Sequence, residues 1–196
     1  MSRTIRTATV EDAAGILNIY NPCILTTVIT FEETPLSVDQ MKARMTETMA
    51  GYPWLVCAGE DGAILGYAYA SRHAVRASYR WSVDVAIYNH PDHQRLGIGR
   101  ALYRILFAVL RLQGYANAYA GVALPNPASV GLHESLGFAP AGIFPKAGFK
   151  LGQWIDVGWW HLGLVHPDGA LAEPVPFERA RRTADYARCL EMGECR

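Results

Sequence analysis

The chain has no excess of charge of either sign: 18 lysine and arginine residues balance 18 aspartate and glutamate residues over 196 positions. That balance argues against a general nucleic-acid binder, which would carry a basic face or stripe; a local anion pocket is still allowed. The four cysteines, Cys23, Cys57, Cys189 and Cys195, form no C-x-x-C pair and no metal-ligand spacing, so no metal is expected. They read as reduced thiols of a cytoplasmic protein, with a Cys189–Cys195 disulfide as the open alternative. No apolar run is long enough to span a bilayer and the N-terminus carries no hydrophobic signal region, so no membrane partner is expected. Also missing are internal repeats, a Walker Gly-Lys-Ser/Thr loop, and a G-x-G-x-x-G turn directly after a first strand. The length suits one domain, placed at residues 1–166. A tail over 167–196 is set apart by proline and alternating charge, with room for one helix near 177–192.

The chain is organised around His93-Gln94-Arg95-Leu96-Gly97-Ile98-Gly99-Arg100. Two glycines stand one residue apart where a helical apolar pattern begins. Glycine costs a helix interior about 0.5–1 kcal/mol, so the pair calls for a reason. One is a ligand that must approach the backbone closely, since the first turn of a helix presents unpaired N–H groups and suits a phosphate. The other is a tight turn into a structural helix, and spacing alone does not choose between them. The preceding run, Trp81-Ser82-Val83-Asp84-Val85-Ala86-Ile87-Tyr88, is apolar and β-branched with one carboxylate set into it. It reads as a buried strand.

The rest of the chain falls into alternating elements. A strand at Ile5-Arg6-Thr7-Ala8 precedes a helix capped by Thr9 and Asp12, which Asn21-Pro22 should end or kink. The apolar segment up to Phe31 lacks periodicity and suits a loop over the active site. A second helix begins at Ser37 with Gln40 in capping-box position; its Met41, Met45 and Met49 stripe reads as core. Asp61-Gly62 between two apolar runs signals a hairpin. Further strands are centred on 115–122, 141–144 and 154–164, with a short helix through Leu132 and His133. The outcome is a mixed α/β domain, a mostly antiparallel central sheet flanked by helices.

Strand, short break, Q/R-x-x-G-x-G and helix, in that order, resemble the acetyl-CoA loop of the GNAT N-acetyltransferases. A second stretch, Asn126-Pro127-Ala128-Ser129-Val130-Gly131-Leu132-His133-Glu134-Ser135-Leu136-Gly137-Phe138, is similar to another motif of that superfamily. Within it the chain resembles the phosphinothricin and methionine sulfoximine acetyltransferases. The matching pieces are Ile19-Tyr20-Asn21, Tyr52-Pro53-Trp54-Leu55-Val56, Leu132-His133-Glu134 and Gly148-Phe149-Lys150-Leu151-Gly152-Gln153-Trp154-Ile155-Asp156-Val157. The resemblance covers residues 3–165.

It implies the GNAT fold and transfer of acetyl from acetyl-CoA to the amino group of a small amino acid or analogue. The backbone at Ile87, Tyr88 and Asn89 should pair with the pantetheine arm, the loop Gln94, Arg95, Leu96, Gly97, Ile98, Gly99 and Arg100 should hold the pyrophosphate, and Asn126 should bond the cofactor near its thioester. Asp84 stands where the branch carries a glutamate, and its burial should raise its pKa and suit it as a base; a purely structural carboxylate is the other reading. His133 stands where relatives place a tyrosine facing the sulfur, as acid, relay or satisfied core histidine. Phe31 and Val85 should wall the substrate pocket, and Arg72 or Arg76 should meet a substrate carboxylate. His73 replaces an aromatic residue, and Ala74 a basic one. A homodimer is expected by analogy. A peptide N-terminal acetyltransferase and a non-catalytic acyl-CoA-binding module are the alternatives.

Overall fold

Alternation of apolar residues along short β-branched runs produces seven strands. They are β1 (Arg3–Thr7), β2 (Trp54–Gly59), β3 (Ile64–Arg72), β4 (Ser82–Asn89), β5 (Asn117–Leu124), β6 (Ala139–Lys150) and β7 (Gln153–Gly163). In the computed structural model, which describes residues 3–165 and 169–192, they form one sheet in the order β1-β2-β3-β4-β5-β7-β6. Every neighbouring pair is antiparallel except β4 and β5. The α-helices are α1 (Ala13–Thr26), α2 (Val38–Gly51), α3 (Ile98–Gln113), α4 (Pro127–Glu134), α5 (Phe177–Ala180) and α6 (Ala184–Glu191). The mixed α/β architecture expected from the sequence is the one formed. Among the described residues no helix is long and apolar enough to cross a membrane.

The two-residue period of a strand sends neighbouring side chains to opposite faces, and the core divides accordingly. Leu55 and Val83 face α3, whose Leu102, Tyr103, Leu106 and Leu110 are fully buried against them. Val56 and Tyr67 face the other way, onto Ile16 and Ile19 of α1 and Met41 and Met45 of α2. The methionine stripe is thus core. Ser37 and Gln40 cap α2 reciprocally, at 2.8 and 3.2 Å. Near α1, burial opposes charge on Asp12, but paired Arg6 N–H groups at 2.7 Å and the Thr9 N–H overcome it and hold the carboxyl below its ordinary range.

Two expectations need correction. Pro22 does not end α1, which continues to Thr26. Proline removes only one N–H donor, and the following turn is secured by Thr26 and Thr27 hydroxyls donating to the Pro22 and Cys23 carbonyls at 2.8 and 2.7 Å. The tail carries two short helices rather than one, because Thr183 starts α6 afresh by accepting from the Tyr186 N–H at 3.3 Å. Phe177 and Tyr186 of these helices are buried in the same core as α3. Burial of such side chains stabilises by about 1.5–3 kcal/mol each, enough to dock the tail on the body. Cys23 and Cys189 are free thiols and Cys57 is buried; Cys195, and with it the Cys189–Cys195 pairing, lies outside the described residues.

Candidate active site

Between β4 and β5 the sheet comes apart. Their parallel ladder holds for three pairs, Ser82 with Asn117, Val83 with Ala118 and Asp84 with Tyr119, while the strands run on to Asn89 and Leu124. The opposite edge of β4 stays paired with β3 as far as Asn89. Because the His90 N–H donates to Leu65 O at 2.9 Å, antiparallel alternation turns the N–H groups of Val85, Ile87 and Asn89 toward the gap. A row of backbone groups facing an opening is ready to pair with an extended ligand. A cavity of about 130 Å³ occupies the opening, lined by Val85, Ile87, Tyr88, Asn126 and His133, with Ile29 across from them.

At the wide end of the gap lies the glycine loop. Arg95 and Gly97 both take left-handed backbone conformations, with φ of 59° and 79°. An added Cβ at Gly97 would meet nothing within 4 Å, whereas one at Gly99 would lie 3.1 Å from Asn89 Nδ2 and 3.2 Å from Leu132 Cδ2. The two glycines therefore serve different needs. Gly97 supplies a positive φ that other residues adopt at a cost, and Gly99 lets α3 seat closely on β4 and α4. Of the two readings of the pair, the turn into a structural helix is the one these contacts describe. The result nonetheless aims the first N–H groups of α3 outward, at the positive end of its dipole. Gln94, Arg95, Leu96 and Arg100 are exposed around it, with Arg100 donating to Ser135 Oγ at 2.9 Å.

At the closed end, Asp84 sits on the last rung before the strands part. Its Oδ1 lies 2.6 Å from His73 Nδ1. Burial pushes the Asp84 carboxyl above its ordinary range, against the opposing pull of His73. The His73 ring lies flat on Tyr119, 4.4 Å between centroids and 18° from parallel, and meets Trp159 edge-on at 6.2 Å. Both residues of the last rung thus hold the same imidazole.

His133 is held differently. It is 3% exposed on α4, with Nδ1 2.7 Å from Ser129 O and Nε2 3.1 Å from Tyr103 Oη. A carbonyl can only accept, so Nδ1 donates to it and Nε2 accepts from the tyrosine. Burial lowers the His133 pKa below its ordinary value, consistent with that neutral form. Asn126 caps α4, its Oδ1 accepting from the Ser129 N–H at 3.1 Å.

A strand pair that parts at a half-buried carboxylate, and a glycine turn feeding helix N–H groups into the opening, suit an acyl thioester with a phosphate-bearing arm. Residues 5–159 match the model of the acetyltransferase (GNAT) domain. The chain belongs to the GNAT acetyltransferase family. It is 38% identical to the phosphinothricin N-acetyltransferase of Streptomyces viridochromogenes over 83% of this chain and 88% of that one. It is 36% identical to an L-methionine sulfoximine/L-methionine sulfone acetyltransferase of Pseudomonas aeruginosa, over 84% and 96%. A GNAT phosphinothricin acetyltransferase from Sinorhizobium meliloti, solved in complex with AcCoA, superposes with a TM-score of 0.82 at 34% identity, covering 90% of this chain and 99% of that one.

This acetyltransferase brings some of the expected substrate residues together and separates others. Phe31 lies against β6, where a Cβ on Gly148 would fall 2.5 Å from its ring. Its segment is strapped down by Lys150 Nζ donating to Thr30 O at 2.7 Å and by a 2.9 Å bond between Tyr20 Oη and Thr30 Oγ1. Arg72 is tied to its own loop: its Nε donates to Ala74 O at 2.9 Å and its Nη2 to Val75 O. Two of its five N–H donors are thereby engaged. Arg76 is exposed, and with Arg72 it lines a separate cavity of about 390 Å³ that also takes in Tyr52, Tyr79 and Tyr115. Among the described residues no cluster of three or more His, Cys, Asp or Glu could hold a metal. Sequence reasoning gave no role to His73, Tyr119, Tyr103 or Ser129. The one available signal was a histidine in an aromatic place together with a shortened carboxylate at Asp84.

Proposed function

We propose that this acetyltransferase moves the acetyl group of acetyl-CoA onto the amino group of a small amino acid or analogue of the phosphinothricin and methionine sulfoximine type. The parting of β4 from β5 at Asp84 carries the reading. An arm laid along the free N–H groups of Ile87 and Asn89, beside Tyr88, brings its thioester end to the last rung. There the half-buried carboxylate of Asp84 forms the centre of proton removal, which general-base catalysis requires. The residues from Gln94 to Arg100 cradle the pyrophosphate, and Asn126 faces the thioester end. Phe31 and Val85 wall the acceptor, and Arg76 is the arginine left to meet its carboxylate. The names of the relatives support the substrate class.

β6, the turn after it and the start of β7 expose Ile143, Phe144, Phe149, Leu151 and Trp154 at one end of the sheet. Such a patch on an edge strand is a pairing surface, and it supports a homodimer of a cytoplasmic enzyme. The body at 1–166 would carry the chemistry, and the tail at 167–196 would only cover it.

Thiol release from acetyl-CoA tests this, with phosphinothricin, methionine sulfoximine, methionine sulfone, the common amino acids and short peptides as acceptors. Saturable release with the glutamate analogues is expected. Acetylation of peptides alone would move the enzyme to N-terminal acetylation. Tight acetyl-CoA binding without release on any amine would leave a binding module.

A further inference from the structure

We propose that His73 is the group that takes the proton from the amine, and that Asp84 is its positioning residue. The proposal rests on the acetyl-transfer reading and deepens it by moving the base from the carboxylate to the imidazole. Three observations carry it. His73 Nδ1 lies 2.6 Å from Asp84 Oδ1, so the carboxylate already holds the ring by one of its oxygens. The ring is fixed in direction by its flat stack on Tyr119 and by the edges of Tyr79 and Trp159, at 4.4, 5.9 and 6.2 Å. Asp84 and Tyr119 are the two residues of the last rung of the β4–β5 ladder, so the imidazole is held where the strands part.

A carboxylate accepts the Nδ1 proton, which leaves the lone pair of the neutral ring on Nε2, on the far side from Asp84. That is the arrangement in which a carboxylate orients an imidazole and steadies the imidazolium that forms. The His73 side chain is 22% exposed and that of Asp84 31%, so the pair reaches the surface, unlike His133. In the step, one ammonium proton of the acceptor passes to His73 Nε2. The freed nitrogen lone pair attacks the thioester carbon, forming the N–C bond and an oxyanion. Collapse of that intermediate breaks the C–S bond; the electron pair leaves on sulfur, and the second nitrogen proton passes to the thiolate. His73 then returns its proton to solvent, so that amide, thiol and one proton result.

The titratable groups facing the ring are Asp84 from β4, Tyr119 from β5 and Tyr79 from the turn before β4; Arg72, its chain neighbour, is engaged by backbone carbonyls.

Two measurements decide the matter. Nitrogen NMR of histidine-labelled protein at neutral pH should show His73 protonated at Nδ1 and bare at Nε2. The opposite tautomer overturns the proposal, because a protonated Nε2 cannot accept. Turnover by thiol release, with acetyl-CoA affinity measured calorimetrically, is the second. His73→Ala should lower kcat by about 10²–10⁴, the usual worth of a general base, without weakening acetyl-CoA binding, and added imidazole should restore part of it. His73→Phe, which keeps the stack on Tyr119, should be equally slow. A His73→Phe enzyme that keeps most of its kcat with an unshifted pH profile returns proton removal to Asp84. So does imidazole rescue of Asp84→Ala in place of His73→Ala. A wild-type protein silent toward every amine defeats the proposed function instead, and the tautomer then decides the pair by itself.

Discussion

His73 lies against the last rung of the β4–β5 ladder and His133 lines the opening beyond it, and the two are held by opposite means. His133 is enclosed by α4 and α3, with a carbonyl on Nδ1, a tyrosine hydroxyl on Nε2 and the edge of Phe138 against its ring at 5.1 Å. Both nitrogens are satisfied inside the protein, and its neutral form is the one that burial favours. His73 has one nitrogen on a carboxylate and the other turned away from it, with more of its surface in reach of solvent. Between two imidazoles near a reacting centre, the one whose hydrogen bonds are left incomplete by its neighbours is free to exchange a proton. Helix-motif position singled out His133; hydrogen-bond accounting favours His73.

The sharpest way to break this contrast is to combine substitutions in the pair. His73→Phe and Asp84→Asn should together cost no more than the larger single change, about 10²–10⁴ in kcat, because groups acting as a unit are strongly non-additive. Losses that multiply, read from steady-state thiol release, would separate the two residues.

His133→Phe should act on stability. It leaves the Tyr103 hydroxyl and the Ser129 carbonyl without their partner, at a cost of about 1–3 kcal/mol in a denaturant titration. The same residue gives stability a pH dependence. Its folded pKa lies below the ordinary 6.5, so the unfolded chain binds more protons in that window and stability falls as pH drops below 6.5. In His133→Phe that acid-side loss should flatten, while the pH profile of kcat/KM should keep its limb. A limb that moves with His133 would restore it to the proton path.

Arg76→Ala should raise the acceptor KM by about tenfold, the worth of a hydrogen bond to a charged group, with kcat little changed. Arg72→Ala should instead lower loop order around Ala74 and Val75. Equal KM effects would break the distinction drawn from their partners. The smallest effect expected is at Gly97, where alanine in a left-handed conformation costs about 1–2 kcal/mol, measurable as a lower Tm with acetyl-CoA binding weakened in parallel. A substitution at Gly99 should act through packing on Leu132 and Asn89.

Most of the architecture was legible because it is local. The Ser37–Gln40 cap and the Asp61-Gly62 turn, whose glycine has a φ of 81°, are decided by neighbours a few residues apart. Pro22 does not end its helix, because the turn after it is sustained by side chains that propensity does not count. The loop glycines were located but their two readings stayed open, since the crowding at Gly99 comes from Leu132 and Asn89, which only tertiary packing brings near.

What the sequence determined alone is therefore the order of elements, the two-faced sheet and the run of motifs that place the chain among the acetyltransferases. Periodicity and capping are properties of short segments and survive without knowledge of the fold. What the tertiary structure decided is which groups are engaged and which remain available: Arg72 closed on its own loop, His133 satisfied, His73 pinned between Asp84 and Tyr119. Those residues lie 11 and 46 positions from His73 in the chain and meet it only because β4 and β5 pair for three rungs and then part.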